Sequence, residues 1–364
     1  MLIKPDLKDE KIIACLWDAY GLTVEKIAFL PLGADFNTAV YQVTTSSQVD
    51  YFLKLRRGEF IDASVSAPKY LADLGIKQVI PPLATKTRQL WTSLASFKAI
   101  LYPYVEGRNG VEAKLSEDQW VQFGAAIKKL HSTDIPNALT SGTPREVFSS
   151  KWRETVKAFL MRIESEVFEE PVAVKMALFL KSKRCEILKL VERAEALAIT
   201  IQTQPLEYIL CHADMHGWNL FVDKENALYI VDWDTLIFAP VERDLMFIGA
   251  GIWDSGLTAA EEESLFYKGY GQTEINHDVL AYYRFERIIQ DIGDYCEYIF
   301  LSDEGGEDRM RCFEALQPVF LPNGAIDRAC QSDKAERVSG NETNLMCRRH
   351  LISVSYWLPV VQSL

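Results

Sequence analysis

Short apolar runs bounded by turn residues fill the first hundred positions, and helical spacing of apolar residues takes over after that. Residues 6–20 place Ile12, Ile13, Leu16 and Tyr20 on one side of a helix, and Gly21 stops it. Residues 24–29, 39–43 and 51–55 read as strands. A helix follows over 59–74, ended by Gly75 and carrying Pro68 inside it. Residues 97–105 form another strand, closed by the glycine-rich polar break Glu106-Gly107-Arg108-Asn109-Gly110. Ser116-Glu117-Asp118-Gln119 is a capping start, after which Val121, Ala125, Ile127 and Leu130 line one helix face up to His131. Further helices are predicted over 152–168, 172–200, 243–252, 259–270, 277–302 and 307–315. Three short apolar runs, 208–211, 220–222 and 228–231, interrupt this helical half as strands.

The order is strands, then a hinge, then helices with one inserted hairpin. That is an α+β plan in two lobes and not an alternating βαβ chain. The predicted divisions are a first lobe over 1–105, a second over 106–326 and an atypical tail over 327–364. From Asp327 onward the pattern changes: 334–344 is polar, and Arg348-Arg349-His350 precedes an uncharged stretch to Leu364. That stretch is too short to cross a bilayer comfortably.

The hairpin carries the candidate chemistry. Its turn is Asp223-Lys224-Glu225-Asn226, so Asn219 before the first strand and Asp232 after the second meet at one open end. The loop from His212 to Gly217 enters the same end and brings Asp214. Carboxylate and amide oxygens gathered there suit a hard cation such as Mg2+, which takes one or two protein carboxylates and leaves the rest of its shell to water and phosphate. Asp214 is then free to act as a base. The plain alternative has Asp214 and Asn219 capping a turn and Asp232 ending a strand. Two further positions stand open in the first lobe. Lys54 lies among apolar neighbours in its strand, either as an edge lysine facing solvent or as a phosphate ligand. The connector Pro31-Leu32-Gly33-Ala34-Asp35-Phe36-Asn37-Thr38 is either a plain hairpin loop or a phosphate cover working through backbone N–H groups.

Composition narrows the field. The chain has 364 residues, 48% of them apolar and 25% charged, as expected of a globular protein with room for two lobes. A net charge of −12 argues against a nucleic-acid partner and permits a cationic small molecule. Seven cysteines without paired spacing point to free thiols in a reducing compartment, hence the cytoplasm. The N-terminus lacks a signal-peptide core, and no run suits a membrane helix.

The spacing His212-x-Asp214-x4-Asn219, with Asp232 thirteen residues on, resembles the catalytic loop and metal-binding acid of the kinase fold. Ala213 stands where protein kinases carry Arg, and only eleven residues separate Asp232 from Asp244. On these residues the chain resembles the aminoglycoside phosphotransferase and choline kinase-type family. Six segments resemble its spectinomycin phosphotransferase branch in particular: 33–37, 51–55, 75–77, 211–216, 230–234 and 240–249. So does Tyr282-Tyr283-Arg284-Phe285-Glu286-Arg287-Ile288. The likeness runs to about residue 325 and stops there.

The resemblance implies a two-lobed protein-kinase-like fold and ATP and Mg2+ as cofactors. It gives Asp214 the acceptor hydroxyl, makes His212 a brace for the loop, and gives Asn219 and Asp232 the metal. Lys54 would hold phosphates, with Asp62 or Glu59 as its acidic partner; Asn37 and Thr38 would cover the phosphates, and backbone near Pro103 and Val105 would meet adenine. Asp244 would fasten the catalytic loop. An amine-bearing acceptor wants carboxylates and aromatic faces, and Asp234, Trp253, Asp291 and Tyr295 are the candidates. Asp291, Asp294, Tyr295 and Tyr298 share a helix face that is otherwise an ordinary solvated one. Three functions compete: an aminocyclitol kinase with spectinomycin foremost, a metabolite kinase for choline, homoserine or a methylthio-sugar, and a silent nucleotide-binding module. Monomer and homodimer are both open.

Overall fold

The computed structural model describes residues 4–32, 37–302 and 306–333. An antiparallel sheet of five strands begins it: β1 (Val24–Leu30), β2 (Thr38–Thr45), β3 (Asp50–Arg56), β4 (Thr92–Leu94) and β5 (Phe97–Pro103), in the order β1-β2-β3-β5-β4. Its strands are rich in β-branched and aromatic residues, which fit a pleated, half-buried surface. Ala39, Tyr41, Val43, Leu53, Leu55, Ala99 and Leu101 share a core with Ile12 and Leu16 of the helix Asp9–Tyr20. Gly21 ends that helix in the left-handed region, at φ 75°. Side chains alternate along a strand, so with Leu53 and Leu55 in this core Lys54 leaves from the opposite face.

The described residues divide between two compact units, 1–149 with 198–284, and 150–197 with 285–364. The first unit therefore holds the sheet together with the hairpin segments. β6 (Gly107–Asn109), β8 (Leu220–Asp223) and β9 (Leu228–Ile230) form a small antiparallel sheet in the order β6-β8-β9. β7 (Ile209–Cys211) pairs with β10 (Ile237–Ala239). The break at 106–110 is thus partly a strand. Gly107 faces Asp223 so closely that a Cβ there would lie 2.2 Å from the Val222 carbonyl oxygen. The glycine that reads as a loop breaker is required by close backbone approach.

The helix Ala63–Asp73 keeps Pro68 inside but starts later than 59. The predicted helix over 243–252 reduces to Glu242–Leu245, because Gly249 and Gly251 both sit at φ 66° and turn the chain away. The helix Glu117–Ser132 has the capping box expected at Ser116 and Gln119, and Ala259–Tyr270 has another at Thr258 and Glu261. These two helices cross with almost no space between them. A Cβ on Gly124 would meet the Phe266 carbonyl oxygen at 2.1 Å, and one on Gly269 the Val121 carbonyl oxygen at 1.9 Å. Gly269→Val is therefore expected to destabilise the fold by about 3 kcal/mol or more, measured as a lower urea midpoint.

The second unit is helical, built from Lys151–Ser165, Gly306–Leu316, Ala325–Ser332 and residues of two longer helices, Pro171–Ile201 and His277–Leu301. Arg153 pairs with Glu286 at 2.5 Å. Of the tail that begins at 327, residues up to 333 are packed: Ala329 and Cys330 are buried, and the carboxylate of buried Asp333 accepts from Arg193 at 2.6 Å. The rest of that tail, including Arg348-Arg349-His350, lies outside the described residues, as do the connector positions 33–36. Among the described residues no helix is long and apolar enough to cross a membrane.

Candidate active site

β7 delivers the chain into the loop 212–216, a short 3-10 turn Gly217–Asn219 leads out of it, and β8 follows. The Asp223 carboxylate accepts from the N–H groups of Glu225 and Ala227 at 2.9 and 2.8 Å and so ties the turn between β8 and β9. The register sets Leu220 opposite Ile230, and Val231 donates its N–H to the Asn219 carbonyl at 2.9 Å. Asn219 is thereby fixed beside the strand end that carries Asp232.

The Asn219 amide donates to the Asp214 carbonyl at 2.9 Å and to its Oδ2 at 3.0 Å. The same Oδ2 lies 3.2 Å from His216 Nε2. The loop bends at Ala213, whose φ of 69° is unusual for a residue with a side chain. Asp244 holds that bend: its Oδ1 accepts from Ala213 N–H at 2.6 Å and its Oδ2 from His212 N–H at 2.9 Å. His131 Nε2 reaches the same Oδ2 at 2.9 Å, while its Nδ1 meets the Tyr270 hydroxyl at 2.9 Å. His131 therefore does more than close its helix. Spacing gave no sign of this, because His131 and Asp244 are 113 residues apart.

His212 is fully buried. Its Nε2 lies 3.1 Å from the Val231 carbonyl, its carbonyl accepts from Thr235 Oγ1 at 2.8 Å, and its ring meets Trp233 edge-on. These contacts tie the loop to the segment bearing Asp232.

Lys54 is 9% exposed and its ammonium lies 2.8 Å from Asp232 Oδ1 and 2.7 Å from Asp234 Oδ2. Burial alone would lower its pKa, but the charges of Asp232 and Asp234 outweigh that and raise it. In return the Lys54 charge holds the carboxyl of half-exposed Asp232 below its ordinary value, against partial desolvation and the nearby negative charge of Asp214. Asp214, Asn219, Asp232 and Lys54 thus form one connected group.

The expected acidic partner of Lys54 differs. Asp62 accepts from the Trp91 indole N–H at 2.8 Å, and exposed Glu59 offers its backbone carbonyl to Arg56 at 3.3 Å. Asp234, expected among the acceptor contacts, is instead held by Lys54 and by Arg56 at 2.6 Å. Trp253 is 8% exposed, stacked on Trp120 at 6.3 Å, and its indole sits against Gly217, so it shapes the loop from behind. The exposed indole at this loop is Trp218, 52% exposed and edge-on to His216. Its place between Gly217 and Asn219 was the available signal, since the loop's own side chains border whatever Asp214 faces.

Thr38 opens β2 opposite Arg56, and the Asn37 carbonyl accepts from Arg57 N–H at 2.9 Å. Pro103 ends β5 opposite Tyr51, with Val105 half-buried just beyond it. Asp291 and Tyr295 lie in the second unit, one turn apart on the helix His277–Leu301. The Asp291 carboxylate is paired with Arg287 at 2.9 Å, and burial, followed by the Asp291 charge, raises the Tyr295 phenol to about 12.

The donor set fits a hard cation. Asn219 commits its amide N–H to Asp214 and keeps its carbonyl oxygen, and the Asp232 side chain is half-exposed with an oxygen beyond the one bound to Lys54. His131, Cys211 and Asp244 also cluster, but both His131 nitrogens are engaged, and burial, followed by the Asp244 charge, raises the Cys211 thiol far above its ordinary value. That cluster is a brace.

A family model described as the phosphotransferase enzyme family matches residues 28–282. The chain belongs to this family. It is a kinase, a phosphotransferase with an alcohol group as acceptor. A crystal structure of the spectinomycin phosphotransferase APH(9)-Ia, in complex with ADP and spectinomycin, is similar to this phosphotransferase over 90% of the chain and 99% of its own, with 33% identity and a TM-score of 0.82. The AMP-bound complex of the same enzyme matches over 88% and 98%, with 32% identity and a TM-score of 0.77. The choline kinase LicA from Streptococcus pneumoniae shares the fold at 14% identity and a TM-score of 0.52, over 85% of this chain and 98% of its own. A comparison with curated proteins found none that matches. The two-lobed kinase-like fold implied by the motifs is the fold of these structures.

Proposed function

We propose that this phosphotransferase moves the γ-phosphate of ATP to a hydroxyl group of an aminocyclitol or aminoglycoside-type molecule, with spectinomycin as the leading acceptor. The observation that carries the proposal is the pairs Asp214–Asn219 and Asp232–Lys54, brought together where the Val231 N–H meets the Asn219 carbonyl, in a chain 33% identical to a spectinomycin phosphotransferase along 90% of its length. Lys54 would bear on the α- and β-phosphates, and Asn219 and Asp232 would hold Mg2+. When bound, that ion supplies neutralisation of the charge on the β- and γ-phosphates. Asp214 orients the acceptor hydroxyl and takes its proton as the oxygen bonds to phosphorus and the bond to the ADP oxygen breaks. Positioning and charge neutralisation provide most of the rate, since phosphoryl transfer asks for little covalent help. The six described cysteines are all free, which supports work in a reducing cytoplasm where ATP is also found.

An ADP-release assay with a panel of acceptors tests this. ADP release stimulated by spectinomycin and not by choline, homoserine or methylthio-sugars is the expected result. Stimulation by one of those metabolites alone would replace the acceptor class, and none by any acceptor would favour a silent nucleotide-binding module.

A further inference from the structure

We infer that Asp234 is the positioning acid of this enzyme, holding Lys54 on the nucleotide phosphates in the place a helix carboxylate was expected to take. This inference rests on the nucleotide-binding part of the proposed function.

A buried ammonium needs an acidic partner to stay charged and in place. Among the described residues two carboxylates reach Lys54, Asp232 at 2.8 Å and Asp234 at 2.7 Å. They differ in setting. The Asp232 side chain is 50% exposed and belongs to the donor set that fits a metal. Asp234 is 14% exposed, and the same Oδ2 that meets Lys54 also meets Arg56 Nη1 at 2.6 Å. Lys54 and Arg56 leave the same face of β3, two residues apart, so one carboxylate bridges both cations. The backbone explains how two acids spaced by one residue reach one ammonium. Asp232 is left-handed, at φ 63°, and the 3-10 turn Trp233–Thr235 follows at once. Trp233 is buried between them and its indole donates to the Ile230 carbonyl at 3.1 Å, which fixes the turn. Meanwhile the nearby acids at the start of the helix Ala63–Asp73 serve elsewhere: Asp62 holds Trp91, and Glu59 is exposed. With Asp232 given to a metal, Asp234 is the acid left to hold Lys54.

The test is calorimetric binding of ADP, with and without Mg2+, to the full chain. Asp234→Asn should weaken ADP binding about tenfold, the worth of one charge-assisted hydrogen bond. The loss should be larger with Mg2+ than without it, because without the metal Asp232 still holds Lys54. Lys54→Met should weaken binding to a similar degree, and the double variant should be no weaker than Lys54→Met alone, because one residue acts through the other. Asp234→Glu, which keeps the charge, should recover most of the affinity. Glu59→Gln and Asp62→Asn should stay within about twofold of the parent. The inference is overturned if the losses from Asp234→Asn and Lys54→Met multiply. It is also overturned if Asp234→Asn raises only the KM for acceptor, or if the loss of ADP affinity is larger without Mg2+ than with it. Absence of ADP binding by the parent chain would reject the nucleotide assignment itself, whereas equal binding by parent and Asp234→Asn would reject only the role of Asp234.

Discussion

Asp214→Asn is expected to lower kcat by about 10²- to 10⁴-fold, the range for loss of a general base. Its ADP affinity should stay nearly that of the parent. The geometry separates the two effects. Asp214 touches Asn219 and His216, and the ammonium of Lys54 is bound by other acids. Asparagine keeps the size of the side chain and an oxygen for the Asn219 amide, so the loop keeps its shape. What is lost is the charge that, in the proposed reaction, takes the acceptor proton. Steady-state kinetics with the acceptor identified by the ADP-release panel, beside calorimetry with ADP, measures both. A parallel collapse of turnover and nucleotide binding would make Asp214 a structural residue.

Asp244→Ala is expected to be the most destabilising of the site substitutions, at about 3–5 kcal/mol, because it leaves several buried donors without an acceptor. Those donors are the N–H groups of His212 and Ala213 and the ring of His131. The left-handed bend at Ala213 loses its anchor with them. The effect also has a pH signature. Burial would raise the Asp244 carboxyl, but the His131 hydrogen bond and charge, the His212 charge and the Ala213 N–H together hold it below its ordinary value of 3.8. A carboxyl depressed in the folded state stabilises above its unfolded pKa and loses that contribution as pH falls through the folded one. The difference between parent and variant should therefore be full at neutral pH and shrink below about pH 4. Urea denaturation at a series of pH values reads it. A gap that persists undiminished into acid would mean that packing, and not the charge, is what Asp244 provides.

The hairpin was legible because its signals are local. Apolar runs at 220–222 and 228–231 around a polar turn allow one pairing, and that pairing puts Asn219 beside the end that carries Asp232. The start of the helix at Ser116 was legible for the same reason, since a capping box lies within four residues. The helix over 243–252 was misread because its apolar spacing is helical while two glycines with positive φ override it. Trp253 was misplaced because an indole reads the same in sequence whether it faces a ligand or stacks on Trp120.

By itself, then, the sequence determined the strand-rich beginning, the helical remainder, and the hairpin that gathers Asp214, Asn219 and Asp232, because short-range periodicity and turn chemistry specify those features. Tertiary structure alone decided which acids meet Lys54 and what holds the loop that carries Asp214. Lys54 and its partners are 178 residues or more apart, and His131 is 113 from Asp244. No periodicity reaches that far, so such pairs are chosen by how strands and helices pack, and by the cost of leaving a buried charge alone.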